Sequence, residues 1–211
     1  MMSSQNVDKA DGGNMERRGE AWRMARRRFL MAAGAGLGLS QMPNKEAQAA
    51  GSGESFEIYD EDTLIPLEVD GAALIEKAYE LGYEMHREHG GCCRCTVAAL
   101  QEALDLVPDH GGLFRASTCL DAGAAPGRML SCGCFTGAGI VIGYICGGEN
   151  FASRALAHQL IQRVAREFQE TYGSVLCDDA IKSGDCHEVV GQTAKWTAEA
   201  LLEQFTDYAA E

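Results

Sequence analysis

From Asp70 onward the apolar positions recur every three or four residues, and no stretch alternates with the two-residue period of a half-buried strand. Leu74, Ala78, Leu81 and Met85 form one stripe of a helix that Asp70 can cap and Gly90-Gly91 ends. Residues 93–106 make a second helix; a loop with Gly111, Gly112, Gly123, Pro126 and Gly127 follows, then a third helix over 131–146. The spacing predicts a long amphipathic helix over 151–172, with Phe151, Leu160, Val164 and Phe168 inside. It predicts a last one over 186–208, with Val190, Ala194, Leu201, Phe205 and Tyr208 on one face. A short helix capped by Ser174 fits between these two. The pattern is that of an all-α protein, a compact helical bundle.

The third helix differs from the others. Its run CGCFTGAGIVIGYICGG is apolar all round, which places it at the centre of the bundle. At about 16 residues, dilute in large side chains, it is too short for a membrane span, which takes roughly 17–25. Gly137-x-Gly139-x-x-x-Gly143 lacks the preceding strand and following acidic residue of a dinucleotide fingerprint. Gly133 with Gly137, and Gly139 with Gly143 and Gly147, instead repeat at four-residue spacing, clearing two helix edges for close neighbours. Each glycine costs a helix about 1 kcal/mol against alanine, so the return is packing or room for a cofactor.

Cysteines punctuate this pattern. Cys93 follows Gly90-Gly91, Cys132 follows the N-cap candidate Ser131, Cys177 follows Ser174, and Cys186 sits inside a candidate capping box formed by Asp185 and Glu188. All four fall in the first turn of a predicted helix. There the unpaired N–H groups and the positive end of the dipole favour a thiolate, the form that binds metal or attacks disulfides. A shared redox or metal centre is expected. The segment from His86 through His89, Cys92 and Cys93 to Cys95 is the densest ligand cluster. His86 and His89 share a helix face and three thiols follow, a set that suits zinc or iron. Cys92-x-x-Cys95 stands alone, without the second C-x-x-C pair of ordinary zinc modules, and solvent-facing histidines at a helix C-terminus are the plainer reading. His187, beside Cys186, is placed to tune its thiol.

The chain has 211 residues, nine cysteines and a formal net charge of −13; beyond residue 49 the charge is near −16. Such a surface repels nucleic acid and anionic membranes, and serves either solubility or the attraction of a basic redox partner. Ala25-Arg26-Arg27-Arg28-Phe29-Leu30 matches a twin-arginine export signal, followed by a moderately apolar stretch and the A-x-A site Ala47-Gln48-Ala49. About 11 apolar residues fall short of the roughly 17 needed to span a bilayer, so no integral membrane protein is expected once the signal is cleaved. The expected organisation is a signal peptide over 1–49, an acidic linker over 50–66 and a helical, cysteine-rich domain over 67–211. Its location would be the periplasm or another extracytoplasmic space. The twin-arginine route carries folded proteins, which favours thiols loaded with a cofactor before export over disulfides formed afterwards. An odd cysteine count also leaves at least one thiol outside any disulfide set.

Cys93-Arg-Cys-Thr-Val, Cys132-Gly-Cys-Phe-Thr-Gly137, Tyr172-Gly-Ser-Val-Leu-Cys177 and Cys186 ahead of an amphipathic helix resemble the redox-active protein family named for its C-GCAxxG-C-C cysteine pattern. The resemblance covers most of residues 70–208. It implies a small helical protein in which Cys93, Cys132, Cys177 and Cys186 are the shared cysteines. The exported branch includes relatives of split-Soret cytochromes, which carry an iron–sulfur centre beside haem. Two departures matter: Cys134 stands where the family pattern has alanine, and no C-x-x-C-H occurs, so c-type haem is not supported. Cys92, Cys95 and Cys134 are extra thiols that widen the site, and Cys119 and Cys146 read as packing thiols.

The leading expectation is an exported iron–sulfur redox protein that passes electrons to or from a partner protein through Cys93, Cys132, Cys177 and Cys186. The alternatives are a metal-free thiol/disulfide oxidoreductase and a zinc-binding accessory using His86, His89, Cys92 and Cys95. A homodimer is compatible with the sequence. No P-loop, G-x-S-x-G, H-E-x-x-H or basic patch with interleaved aromatics is present, and no substrate site is identified.

Overall fold

Asp70 caps the first helix as its side chain allows: Oδ1 accepts from Ala72 N–H at 3.1 Å, and α1 runs Gly71–His89. The structure, a computed structural model, describes residues 58–108, 111–124, 127–148 and 154–209. The signal peptide expected over 1–49, the first part of the expected linker and Phe151 lie outside the described residues. After α1 come α2 (Cys92–Ala103), α3 (Gly111–Ser117), a 3₁₀ turn (Thr118–Leu120), a left-handed turn (Asp121–Ala124), α4 (Gly133–Cys146), α5 (Ala155–Tyr172), α6 (Cys177–Ser183) and α7 (Cys186–Phe205). Extended pairing among the described residues is confined to two isolated bridges, Ile65 with Thr206 and Ser131 with Leu176. The fold is all-α, and none of its described helices is long and apolar enough to cross a membrane.

Helix α1 packs along α7, and its buried positions are Gly71, Ile75, Ala78 and Gly82; Leu74, Leu81 and Met85 of the expected stripe lie on the flanks. Gly82 explains the rotation. A β-carbon there would come within 3.1 Å of Gly191 Cα, and one on Gly191 within 2.9 Å of Tyr79 O, so the two backbones meet where neither carries a side chain. α2 stops at Ala103, short of the expected 106, because the chain turns extended at Leu104. Leu104, Leu106 and Val107 are nevertheless buried, so helical spacing continues without helical backbone.

Helix α4 lies against α2, α5 and α7, and α7 shares the centre by also packing on α1 and α6. Val141, Ile142 and Ile145 of α4 meet Leu100, Leu160, Leu201 and Phe205 in the main core. Of the two expected glycine edges, only Gly133 with Gly137 is tightly used: a β-carbon at Gly137 would come within 2.8 Å of Cys93 O. The other edge is loose against its neighbours: Gly139 makes ordinary contact with Ile161, Gly143 is exposed with open space beside it, and a β-carbon at Gly147 would fall onto the helix's own Gly143 O.

Residues 58–66, read from their acidity as the end of a linker, are docked on this core. Tyr59 N–H donates to Ile145 O at 2.9 Å and its ring lies 5.3 Å from that of Phe205, while Ile65 N–H donates to Phe205 O at 2.7 Å. Two apolar anchors among exposed acids suffice to order the strap. Tyr208, expected on α7, follows the helix end and covers Gly71.

Candidate redox centre

Four helix starts build the site. α2 begins at Cys92, after Gly90 and Gly91 turn the chain with φ of 65° and 83°. α4 begins at Gly133 with Cys132 as its N-cap, one position later than expected from Ser131. α6 begins at Cys177 and α7 at Cys186. The starts of α4 and α6 are tied together by the antiparallel Ser131–Leu176 bridge, in which Cys132 N–H donates to Val175 O at 2.8 Å and Cys177 N–H to Leu130 O at 3.0 Å. The start of α2 reaches them because Gly133 has no side chain; a methyl there would fall onto Cys92 Sγ. Asp185 caps α7 by accepting from His187 N–H at 3.1 Å. The expected capping box is not closed, since Glu188 accepts from Tyr79 OH at 2.6 Å instead.

No side chain of its own caps α2. Asp121, 28 residues on, does so: Oδ1 accepts from Cys93 N–H at 2.7 Å and Arg94 N–H at 3.3 Å, and Oδ2 from Arg94 Nε at 3.1 Å. The next three residues are left-handed, Ala122, Gly123 and Ala124 having φ of 52°, 67° and 53°. Ala122 N–H donates to Cys92 Sγ at 3.3 Å. A β-carbon at Gly123 would come within 2.9 Å of Cys177 Cβ.

The helix starts converge on a cavity of about 430 Å³ whose lining includes Cys92, Cys177, Cys186, His86, Asp121 and Arg128. Cys132 lies behind this wall, fully buried, 3.2 Å from Cys134 Sγ. The Cys134 thiol hydrogen-bonded to it brings the Cys132 pKa down to about 7 against the effect of burial, helped by the Cys134 N–H, the Cys177 thiol and the Phe135 N–H. Cys134 is pushed well up by complete burial and by donating to Cys132, and Thr193 Oγ1 stands 3.4 Å from its sulfur. Burial overrides the helix starts elsewhere. It raises Cys92 despite the Ala122 N–H, Cys177 to about 11 with the nearby Cys132 charge, and Cys186 to about 12 with Cys92. Phe168, Tyr172 and Trp196 close the inner side of this thiol cluster, with ring centroids 4.9 and 6.0 Å apart along the series.

Of the four expected site residues, Cys177 and Cys186 line the cavity, Cys132 lies behind it, and Cys93 is turned away from it. Cys93 lies one position further round α2, fully buried, with burial and Asp121 raising its thiol to about 12. Cys92 takes the place facing the cavity; two adjacent cysteines after a glycine pair cannot be told apart until the helix phase is known. Cys95 donates to Gly90 O at 3.1 Å and does not line the cavity. His86 and His89 do not act together. His86 lines the cavity with Nδ1 2.7 Å from His187 Nδ1, and burial followed by His187 lowers its pKa; His89 is exposed beside Glu88. Cys146 donates to Ile142 O within the main core, and Cys119 is exposed. Asp121 and its turn carried no sequence signal beyond a glycine-containing loop.

Among the described residues no three His, Cys, Asp or Glu side chains already stand at metal-ligand distances around one point. What fits a thiophilic group is the donor set, several thiols facing one cavity from helix starts that supply N–H groups and a lowered thiol pKa, rather than finished coordination.

No curated protein and no solved structure matches this chain. The family described as "Putative redox-active protein (C_GCAxxG_C_C)" matches residues 91–200, from the turn before α2 to the middle of α7, and so encloses the cavity's cysteines. With more than half its length matched, the chain belongs to the C-GCAxxG-C-C family of redox-active proteins.

Proposed function

We propose that this protein is an exported electron carrier whose centre is an iron–sulfur group held by Cys92, Cys132, Cys177 and Cys186. The observation that carries the reading is the gathering of these four thiols, each from a different helix start, in and directly behind one cavity. When bound, the group takes up and releases single electrons. The chain's own residues do the rest. Cys132 offers a thiolate near neutral pH, the first turn of α4 lends N–H groups to that sulfur, and the Cys134 thiol donates a third hydrogen bond. Burial of Cys132 and Cys134 and the aromatic wall keep water from the inner face. Arg128 at the cavity mouth offsets negative charge on sulfur, and the acidic surface favours a basic redox partner. The match of Ala25-Arg26-Arg27-Arg28-Phe29-Leu30 to a twin-arginine signal supports a site of action outside the cytoplasm.

The test is the absorption spectrum of protein purified anaerobically, with iron and sulfide assayed on the same sample. Serine at Cys92, Cys132, Cys177 or Cys186 is expected to bleach the chromophore, and serine at Cys146 to leave it. A colourless, iron-free protein after reconstitution overturns the reading.

The 3.2 Å contact between Cys132 and Cys134, with its lowered thiol pKa, favours a second reading, thiol–disulfide exchange. Cys132 thiolate would attack a partner's disulfide, forming a mixed disulfide and releasing one partner thiolate. Cys177 thiolate would then displace the second, leaving a Cys132–Cys177 disulfide here and two thiols on the partner. Iron-free protein whose mass rises by two hydrogens on reduction, with that rise lost in Cys132→Ser, would establish it.

A further inference from the structure

Left-handed backbone is costly for alanine, yet Ala122 and Ala124 both adopt it around Gly123. Two anchors hold the turn there. On one side Asp121 is fixed by three donors, the N–H groups of Cys93 and Arg94 and the Arg94 guanidinium. On the other, Gly123 is pressed against Cys177 Cβ and Leu130 O, with no room for a side chain. Between these anchors the Ala122 N–H is aimed at Sγ of Cys92, a residue only 4% exposed. Backbone N–H groups in left-handed turns form anion-binding concavities, and donors to sulfur tune the potential of sulfur-based centres.

We propose that the Asp121–Ala124 turn is the positioning device that sets the electron affinity of this centre, by holding the Ala122 N–H on Cys92 Sγ, with Asp121 as the positioning residue. The inference rests on the reading of Cys92 as part of the centre. Entry of one electron into a thiolate-bound group adds negative charge to its sulfur ligands. An N–H donor to Cys92 Sγ stabilises that electron-rich form, so its loss favours the oxidised state.

Asp121→Asn and Asp121→Ala separate this role from the charge of the carboxylate, because both remove the charge but only asparagine keeps an oxygen to accept from Cys93 N–H. The full chain is poised at stepped potentials with redox mediators and the reduced fraction read by visible absorption. The Asp121→Ala protein is expected to favour oxidation about tenfold more than Asp121→Asn. That corresponds to a midpoint about 59 mV more negative for one electron. Equal midpoints in the two variants overturn the proposal. Amide hydrogen exchange of the reduced, iron-free wild type decides independently of iron content and of how well the variants fold. The Ala122 amide is expected to be protected there and in Asp121→Asn, and to exchange at least about tenfold faster in Asp121→Ala. Rapid exchange at Ala122 in the folded wild type overturns it. Absence of iron would sink the iron–sulfur reading and the midpoint arm with it, leaving hydrogen exchange to decide whether Asp121 holds the Ala122 N–H on Cys92 Sγ.

Discussion

Helix α4 carries cysteines at both ends, and they have opposite chemistry. At its start Cys132 meets the N–H groups of the first turn and the thiols of Cys134 and Cys177, and its pKa falls to about 7. At its end Cys146 bonds back to Ile142 O among Ile145 and other apolar side chains, and burial lifts it to about 11. Both are buried, so burial alone does not decide reactivity. The difference lies in whether hydrogen-bond donors meet the sulfur, because a thiolate out of water needs them and a neutral thiol does not.

Ile145→Ala should have the largest effect on stability, a loss of about 2–5 kcal/mol in denaturant unfolding. It should leave the thiolate absorbance of reduced, metal-free protein titrating near pH 7; loss of that step would mean that the two ends of α4 are not independent. Gly133→Ala strikes the other end. Its methyl has no space beside Cys92 Sγ and Leu120 O, so a cost of roughly 1–3 kcal/mol is expected, together with loss of the bound chromophore.

Cys132→Ser should change stability less and chemistry more, by removing the thiolate step near pH 7, whereas Cys146→Ser should leave it. The sign follows from the direction of each shift. Cys132 is depressed below its ordinary value of 9.0, so its thiolate contributes stability that is complete above about pH 9 and lost as pH falls through about 7. Cys146 is raised, so its contribution is present below about pH 9 and lost as pH rises through about 11. Stability against pH in the two serine variants checks this, and a wild-type step near 7 that survives Cys132→Ser would break the comparison. Gly143→Ala has the smallest expected effect, a gain of about 0.5–1 kcal/mol, because the position is helical and open. A loss there would show that the second glycine edge is used after all.

The helices were legible because their signals are local. Asp70 and Asp185 cap where a carboxylate precedes an apolar run, and Gly173 ends α5 in the left-handed conformation with φ of 76°. The rotation of the α1 stripe was not legible, since Gly82 and Gly191 lie on different helices and only their meeting makes them a close approach. For the same reason the docked strap at 58–66 escaped notice: acidic composition describes its exposed side chains, and Tyr59 and Ile65 find their partners on α4 and α7. In the site, the choice between Cys92 and Cys93 turned on helix phase. The cap on α2 comes from a residue in another loop, which no reading of neighbours along the chain could supply.

By itself the sequence determined the helical class, the placing of Cys93, Cys132, Cys177 and Cys186 at helix starts, and membership of a redox-active cysteine family. Each follows from short-range spacing, because caps, breakers and helical periodicity act over a few residues. Only the tertiary structure decided which thiols share a cavity, that Cys132 behind them has its pKa lowered, that one glycine edge of α4 is used, and that Asp121 holds the start of α2. Desolvation and hydrogen bonding depend on what surrounds an atom in space, and the groups that surround these sulfurs come from segments far apart in the chain.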